Sequence, residues 1–329
     1  MPRLLAKQLS YYGASPLIST IIVIWHNIAA PAPKHGIIHG TYIRFEVPSS
    51  DTLNNRFVPL TTVTTECIMV LDDDMKIHYQ DLANLFEAWK HNPRNVVGFM
   101  PRWVDHVKSS RSNSTHNLLY RSQSEDPEIG SFPKKRPHKG YSLILTKALM
   151  VHRDYMRLYT CGGESDDLRI SIPSKFDQMR RAIHRIVDSS LNCEDIGLNF
   201  VVNAALSSLG KVAPLYVQPV HIMGDFGKVR SGKGGLHQRK SHMGGRDQCL
   251  NQINREFVRV AKVNLPLQKK IIAASRVDEL TTLLTMARYH DHRKRLHDDC
   301  TSLNGHEDEP CSWNVPTFDV AYKSIYKRS

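Results

Sequence analysis

The sequence of 329 residues lacks several features that would by themselves point to a class of protein. No apolar run approaches the roughly 20 residues that a membrane-spanning helix needs. The six cysteines include no CxxC pair, so the sequence does not indicate a structural zinc site. The glycine-rich, basic residues 224–246 lack the Gly-Lys-Ser/Thr ending of a P-loop, which excludes that type of phosphate site. Internal repeats and long low-complexity tracts are absent as well.

An excess of positive charge is present instead. The chain has 44 Lys and Arg against 32 Asp and Glu, which gives a formal net charge of +12. Such an excess favours an anionic partner such as a nucleic acid, a polyanionic glycan, an anionic lipid surface or a phosphate, and it does not choose among them. With 41% hydrophobic residues, the chain is long enough for one large domain or two small ones.

A run of three carboxylates is the most informative local feature. The apolar residues Ile68 to Leu71 stop at Asp72, Asp73 and Asp74, which predicts a strand buried on both faces with the carboxylates just past its C-terminal end. In an open α/β sheet, ligands bind at that edge. Adjacent carboxylates favour a hard divalent cation, Mg²⁺ or Mn²⁺, whose shell is completed by water and substrate phosphates. The alternative is a polar turn in which Asp74 caps the following helix.

A second acidic pair, Glu194 and Asp195, precedes an apolar segment with helical spacing, Ile196 to Leu206. This order predicts that the two carboxylates lie at a helix N-terminus, where capping is the alternative to a chemical role. Further along, residues 224–246 combine glycines with Lys and Arg and end in Arg246. That composition suits either a loop that binds an anion or a flexible linker.

The order of helical and strand patterns predicts an α/β fold built from βα units, and hence a mostly parallel sheet. Helices are predicted at residues 3–13, 79–91, 147–156, 178–187 and 196–206, and strands at 18–25, 43–47, 68–71, 96–100, 141–145 and 212–220. Residues 105–139 are polar and basic and are predicted to form a long exposed loop.

Four short motifs stand in a fixed order along the chain: Trp25-His26-Asn27, Asn55-Arg56-Phe57, Leu71-Asp72-Asp73-Asp74 and Asn192-Cys193-Glu194-Asp195-Ile196. Together they resemble the C-terminal glycosyltransferase domain of the exostosin and exostosin-like family, glycosyltransferase family 64. The resemblance covers about residues 3 to 265. It implies a GT-A fold, a UDP-sugar donor, Mn²⁺ and transfer of an N-acetylhexosamine with retention of configuration. It places the catalytic domain in residues 1–265, followed by a basic helical tail and irregular appendage, 266–329.

The resemblance also implies a role for individual residues. Asp74 would hold the metal ion, while Asp72 and Asp73 would engage the donor and the metal. The residues expected to meet the nucleotide are Asn27, Asn55 and Arg56.

Two further residues would act at the reacting sugar. Asp195 would be the carboxylate beside it, and Arg246 would face the diphosphate or the sugar. The resemblance pairs Cys193 with Cys249 in a disulfide, whereas the cysteine count alone leaves many pairings open.

The sequence departs from the family pattern at several points. His26 replaces an Asn after Trp25, Asp51 replaces an Asn that often contacts the nucleotide, and the first strand of the family is missing. We therefore expect a shortened form of a longer, membrane-anchored protein of the Golgi or endoplasmic reticulum lumen. The expected acceptor is an anionic glycan or a glycolipid, and no nucleic acid partner is expected. The alternatives are a basic polyanion-binding protein and a transferase homologue that has lost catalysis.

Overall fold

The computed structural model of the chain describes residues 3–27, 29–107, 117–121, 142–165, 167–172, 174–206, 214–221, 223–226 and 242–261. All of them belong to one compact unit, residues 1–282. The predicted tail, 266–329, lies outside the described residues, as do most of the glycine-rich stretch and of the predicted loop 105–139.

The described residues form six α-helices: α1 (Arg3–Gly13), α2 (Tyr79–His91), α3 (Asp154–Thr160), α4 (Ser174–Ser190), α5 (Glu194–Leu206) and α6 (His242–Ala261). The strands are β1 (Thr20–Ile24), β2 (Gly36–Ile38), β3 (Thr41–Glu46), β4 (Cys67–Leu71), β5 (Met75–Lys76), β6 (Val97–Gly98), β7 (Pro101–Val107), β8 (Asn117–Arg121), β9 (Leu143–Ile144), β10 (Ala148–His152), β11 (Glu164–Ser165), β12 (Ile170–Ser171), β13 (Leu215–Tyr216) and β14 (Gly224–Asp225). A 3₁₀ turn covers Leu53–Phe57. None of the helices in these ranges is long and apolar enough to span a bilayer.

The sheet that positions the site has the strand order β13-β6-β10-β4. Its strand β10 is buried at every position and runs antiparallel to both neighbours, with Ala148 opposite Leu71 and His152 opposite Cys67. Strand β4 is the last strand of the described sheet, and only its Val70 is fully buried. Its alternate residues still pack against two hydrophobic clusters, Ile68 and Val70 against one and Cys67, Met69 and Leu71 against the other. The prediction of burial on both faces is therefore confirmed in part.

The fold is mixed α/β, and the prediction of a mostly parallel sheet is wrong for the described strands. Only two described pairs are parallel, β1 with β3 and β6 with β13, while all the others are antiparallel. The chain reaches β10 through the strands β7, β8 and β9. The described residues between β6 and β10 include no helix, so the helical crossover that makes neighbouring strands parallel is not seen there.

The helix predicted over residues 147–156 is also wrong. Residues 148–152 form the strand β10, and only residues 154–156 lie in a helix, α3. A strand buried on both faces carries apolar residues at successive positions, so its sequence shows no period of two. A short apolar run of this kind cannot be distinguished from helix by periodicity.

Part of the predicted loop 105–139 is a strand pair, β7 with β8. Leu118 and Tyr120 of β8 are buried, and their backbone N–H groups donate to α6 side chains: to Asn251 Oδ1 at 2.9 Å and to Asp247 Oδ1 at 2.7 Å. The side chains of α6 thus take the place of a further strand along this edge, which leaves those backbone groups satisfied.

Helix α1 fixes the segment that follows the three aspartates. The Tyr12 hydroxyl donates to the Met75 carbonyl and accepts from the Ile77 N–H, each at 3.0 Å. Both bonds are buried, and burial raises the pKa of Tyr12, so the hydroxyl stays neutral. One side chain therefore satisfies both backbone groups around the short strand β5.

Candidate active site

The antiparallel pairing of β4 with β10 brings two distant parts of the sequence to one edge. The three aspartates Asp72, Asp73 and Asp74 follow β4, as predicted, while Thr146 and Lys147 precede β10. The Asp72 N–H donates to the Lys147 carbonyl at 3.2 Å, and the Met75 N–H donates to the Asp72 carbonyl at 3.2 Å. This edge is called the site end below.

A first ion cluster at the site end forms around Arg56. Its guanidinium lies 2.8 Å from Asp72 Oδ1 and 3.6 Å from Glu194 Oε1, and it donates to Thr146 Oγ1 at 2.9 Å. Burial opposes the charge on Arg56, but Asp72 and Glu194 outweigh that effect and raise its pKa. Burial raises the pKa of Glu194, and Arg56 opposes the rise. The cluster ties the 3₁₀ turn, the aspartates and the start of α5 together.

A second ion cluster consists of Asp74, Lys147 and Asp225. The Lys147 ammonium lies 3.0 Å from Asp225 Oδ1 and 3.7 Å from Asp74 Oδ1. Asp74 Oδ1 is buried and has no hydrogen-bond partner among the described residues. Burial raises the pKa of Asp74, Lys147 opposes the rise, and the nearby Asp72, Asp225 and Asp73 add to it.

These residues fit a divalent cation. A buried carboxylate oxygen without a partner is costly, and a cation at that oxygen would remove the cost. Carboxylates are the ligands that Mg²⁺ and Mn²⁺ prefer. The residues that would hold the ion are Asp74 and, beside it, Asp72 and Asp73.

Asp195 and Arg246, predicted to act at the reacting sugar, lie in direct contact. Arg246 Nη1 lies 2.7 Å from Asp195 Oδ2 and donates to the Tyr120 hydroxyl at 3.1 Å, while its guanidinium stacks 5.0 Å from the centroid of the Tyr120 ring. Burial opposes the charge on Arg246, and Asp195 outweighs it and raises the Arg246 pKa. Asp195 is the second residue of α5, so the predicted helix N-terminus is confirmed.

The disulfide between Cys193 and Cys249 is confirmed as well, with 6.3 Å between the Cα atoms. Cys193 directly precedes Glu194 and has φ of +76°, a left-handed conformation that non-glycine residues rarely adopt. Because Cys249 lies on α6, the bridge joins the helix that carries Asp195 to the helix that carries Arg246.

Two of the predicted nucleotide residues have local roles. Asn27 accepts the Ala29 N–H at 3.2 Å, and Asn55 donates to the Ser50 carbonyl at 2.6 Å. Neither side chain hydrogen-bonds to the three aspartates in the described part of the chain. Asp73 is exposed at the site end. Of the three predicted nucleotide residues, Arg56 alone contacts the aspartates.

The two departures from the family pattern lie side by side. His26 Nδ1 is 2.9 Å from Asp51 Oδ1, and the Asp51 side chain is 81% exposed. The two replacements therefore occur together in space, on the surface where the resemblance expects the nucleotide.

Sequence reasoning missed four residues of this site: Tyr120, Thr146, Lys147 and Asp225. Thr146 and Lys147 reach the aspartates only because β10 is antiparallel to β4, and Asp225 does so because β14 pairs with β5. Tyr120 was assigned to an exposed loop, although Leu118 and Tyr120 at alternate positions are a weak strand signal.

A different cluster of possible metal ligands lies at the other end of the β4–β10 pair, called the opposite end below. One ligand atom each of His152, Asp154 and Asp167 lie within 4.8 Å of one another. These carboxylates already have partners: Ser165 donates to Asp154, and Arg153 Nη2 donates to Asp167 Oδ2 at 2.8 Å. The backbone N–H of Asp154 donates to His152 Nδ1 at 3.2 Å.

Comparisons with known proteins identify the class. The model of the glycosyl transferase family 64 domain matches residues 2–276. Exostosin-like 2 of Homo sapiens is 28% identical over 259 residues, 76% of this chain and 68% of that protein. Glycosylinositol phosphorylceramide mannosyl transferase 1 of Arabidopsis thaliana is 24% identical over 268 residues, 77% of this chain and 68% of that protein. Glucosamine inositolphosphorylceramide transferase 1 of the same plant is 28% identical over 247 residues, 74% of this chain and 27% of that protein.

The chain therefore belongs to glycosyl transferase family 64. It is a glycosyltransferase, and its reaction belongs to the biosynthesis of glycans. The hypothesis of a non-catalytic polyanion-binding protein finds no support in these matches.

Proposed function

We propose that the protein is a metal-dependent, retaining glycosyltransferase of the GT-A type, which moves an N-acetylhexosamine or a related hexose from a UDP-sugar to an acceptor. The observation that carries the proposal is the buried Asp74 Oδ1, which has no hydrogen bond to any described residue, at the edge that also receives Arg56 and Lys147. An edge with converging carboxylates and cations suits a ligand that is itself a complex of a cation with an anion. A nucleotide sugar bound through a divalent ion is such a ligand.

Asp74 would hold Mn²⁺ or Mg²⁺, with Asp72 and Asp73 engaging the donor and the ion. The bound ion supplies positive charge that stabilises the departing nucleoside diphosphate. Arg56 adds a fixed positive charge, since Asp72 and Glu194 keep its guanidinium charged and oriented. Asn27 and Asn55 are proposed to complete the nucleotide site.

Asp195 is proposed to lie beside the anomeric carbon. A carboxylate there can stabilise an oxocarbenium-like centre or attack it, and both routes are compatible with retention. Arg246 fixes the orientation of Asp195 through the 2.7 Å contact, and the Tyr120 hydroxyl accepts a hydrogen bond from the same Arg246 nitrogen. Preorganised charge of this kind needs no rearrangement during the reaction.

The acceptor is proposed to be an anionic glycan or a glycolipid. One relative is named a glucosamine inositolphosphorylceramide transferase and another a glycosylinositol phosphorylceramide mannosyl transferase, which supports a glycolipid. The net charge of +12 suits an anionic glycan or a glycolipid with a phosphate group, such as an inositol phosphorylceramide. A Golgi or endoplasmic reticulum lumen location agrees with the Cys193–Cys249 disulfide, which needs an oxidising compartment.

The decisive experiment is a screen of UDP- and GDP-sugars for hydrolysis, with and without Mn²⁺. We expect release of UDP from at least one UDP-sugar with Mn²⁺ and loss of that release when the metal is chelated. Mn²⁺-dependent UDP binding without hydrolysis or transfer would identify a homologue that has lost catalysis. Turnover that is unaffected by chelation would contradict the proposed metal dependence.

A further inference from the structure

Lys147 occupies an unusual place at the site end. Its ammonium contacts two carboxylates from different parts of the chain. It lies 3.0 Å from Oδ1 of Asp225, in β14, and 3.7 Å from Oδ1 of Asp74, just before β5. The three side chains are 17%, 13% and 22% exposed, so water screens their charges only in part. The protein therefore already has a cation of its own beside the carboxylate that is proposed to hold the metal ion.

Hydrogen bonds anchor the main chain around Lys147, whereas its ammonium lies at the end of a long side chain. The Lys147 carbonyl accepts from the Asp72 N–H, which anchors the main chain beside the aspartates. The Phe226 N–H donates to the Asp74 carbonyl at 2.9 Å, which ties Asp225 to the same place. The ammonium sits at the end of a flexible four-carbon stem and can move several ångströms without any change in this backbone.

A divalent ion at Asp74 and the Lys147 ammonium in its present position repel each other. An ion bound to Asp74 Oδ1 would lie within a few ångströms of the ammonium, where like charges interact strongly in a partly buried site. A diphosphate at the same edge changes this balance, because its negative oxygens can bind the ion and the ammonium together.

We propose that Lys147 is a resident counter-ion that makes binding of the divalent ion conditional on binding of the donor diphosphate. Without nucleotide, the ammonium neutralises Asp74 and Asp225 and disfavours the ion. With nucleotide, it turns to the diphosphate and leaves Asp74 to the ion. The inference rests on the proposed function and adds to it a residue that sets the order of binding.

The test measures Mn²⁺ affinity directly, from the electron paramagnetic resonance signal of the free ion, with and without saturating UDP. Lys147→Met removes the charge and keeps most of the stem. Without UDP, we expect the variant to bind Mn²⁺ at least about tenfold more tightly than the wild-type protein. With UDP the difference should shrink or reverse, so that UDP enhances Mn²⁺ affinity less in the variant than in the wild type.

Two further variants make the result specific. Lys147→Arg keeps the charge and should retain the wild-type coupling between UDP and Mn²⁺, which also separates charge from packing if Lys147→Met folds poorly. Lys90→Met is the matched control, because Lys90 is exposed on α2 and pairs with Glu87. It should leave both affinities unchanged. Circular dichroism establishes that each variant is folded.

The possible failures are distinguishable. If wild type and Lys147→Met bind Mn²⁺ equally without UDP, or gain equally from UDP, the inference is overturned while the proposed metal-dependent donor site stands. If neither protein binds Mn²⁺ with or without UDP, the metal site itself is wrong, and the inference falls with it.

Discussion

Acidic residues gather at both ends of the β4–β10 strand pair, and the two ends differ in how their charges are met. At the opposite end, Asp154 accepts a hydrogen bond from Ser165 and Asp167 accepts one from Arg153, so both carboxylates have partners within the protein. At the site end, Asp74 Oδ1 is buried without a hydrogen-bond partner among the described residues. The pKa values follow this difference, since the Arg153 hydrogen bond lowers the pKa of Asp167, while burial raises that of Asp74.

The comparison shows why proximity of ligand atoms is a poor guide to a metal site. His152, Asp154 and Asp167 satisfy the distance criterion for a metal, yet a guanidinium already neutralises the carboxylates. At the site end, by contrast, the buried Asp74 Oδ1 has no hydrogen bond to any described residue. A buried carboxylate oxygen without a hydrogen bond, rather than the number of possible ligands, indicates where a ligand binds.

The largest expected effect separates the two ends directly. Asp74→Asn should abolish Mn²⁺-dependent UDP binding, because the neutral amide is a much weaker ligand for a hard cation. Asp167→Asn, the matched change at the opposite end, should leave that binding intact. Calorimetric titration of UDP in the presence and absence of Mn²⁺ measures both. If the metal-dependent affinity for UDP persists in Asp74→Asn, or disappears in Asp167→Asn, the assignment of the ion to the site end is wrong.

The second prediction concerns the disulfide, whose Cys193 directly precedes Glu194 at the site end. It closes a loop across 56 residues of sequence, so replacing Cys193 and Cys249 by Ser should cost about 4 kcal/mol of unfolding free energy. Without the bridge, the backbone at position 193 should leave its left-handed conformation, and the position of Asp195 should change. Cys67→Ala, within β4 near the opposite end, is the control and should cost less. Urea denaturation under non-reducing conditions gives these values, and peptide mapping that finds Cys193 and Cys249 as free thiols would refute the prediction.

The third prediction distinguishes a chemical carboxylate from a structural one. Asp195→Asn should lower the rate of donor hydrolysis by about 10²–10³ with little change in UDP affinity, and the amide oxygen should still accept from Arg246. Asp154→Asn at the opposite end should instead cost about 1 kcal/mol of stability and leave the rate unchanged, because it weakens the bond from Ser165 and the ion pair with Arg153 without touching the site end. If Asp195→Asn retains hydrolysis within a few fold, Asp195 is only a residue of the helix start.

Several features at and near the site end could be predicted from the sequence. The position of the three aspartates after β4, helix α2 at Tyr79–His91 and the start of α5 at Glu194 all follow from local patterns. Local patterns are reliable there because an apolar run that stops at charged residues, or an amphipathic repeat, has one favourable arrangement. The pairing of Cys193 with Cys249 and the roles of Asp195 and Arg246 came from resemblance rather than from pattern.

What sequence could not predict is how strands pair across the sheet. Thr146 and Lys147 lie 72 or more residues from the aspartates in sequence, and only the antiparallel register of Ala148 with Leu71 makes them neighbours. Residues 147–156, which include Lys147 and β10, are predicted as helix from the sequence, and a helix there would not pair with β4. Tyr120 was missed because its strand is completed by side chains from α6, and no local signal reports such a partner.

The smallest expected effect is the pH dependence of stability that comes from the opposite end. Burial lowers the pKa of His152, and Asp154 opposes the shift only in part. The folded protein therefore binds a proton at His152 less readily than the unfolded chain, whose histidines titrate near about 6.5. Stability should fall as the pH drops below that value and continue to fall until the folded pKa is passed. One such group can add at most about 1.4 kcal/mol per pH unit to the slope.

His152→Asn should reduce this acid sensitivity, since Oδ1 of Asn can still accept the Asp154 N–H and has no proton to gain in this range. It should not remove the sensitivity, because burial also lowers the pKa of His184. Glu194 at the site end acts in the opposite sense: its raised pKa makes the fold lose stability as the pH rises through its titration range. Urea unfolding of the wild type and His152→Asn between about pH 7 and 5 measures the difference. Identical slopes for the two proteins would show that His152 takes no part, and the contrast between the two ends would then rest on their carboxylates alone.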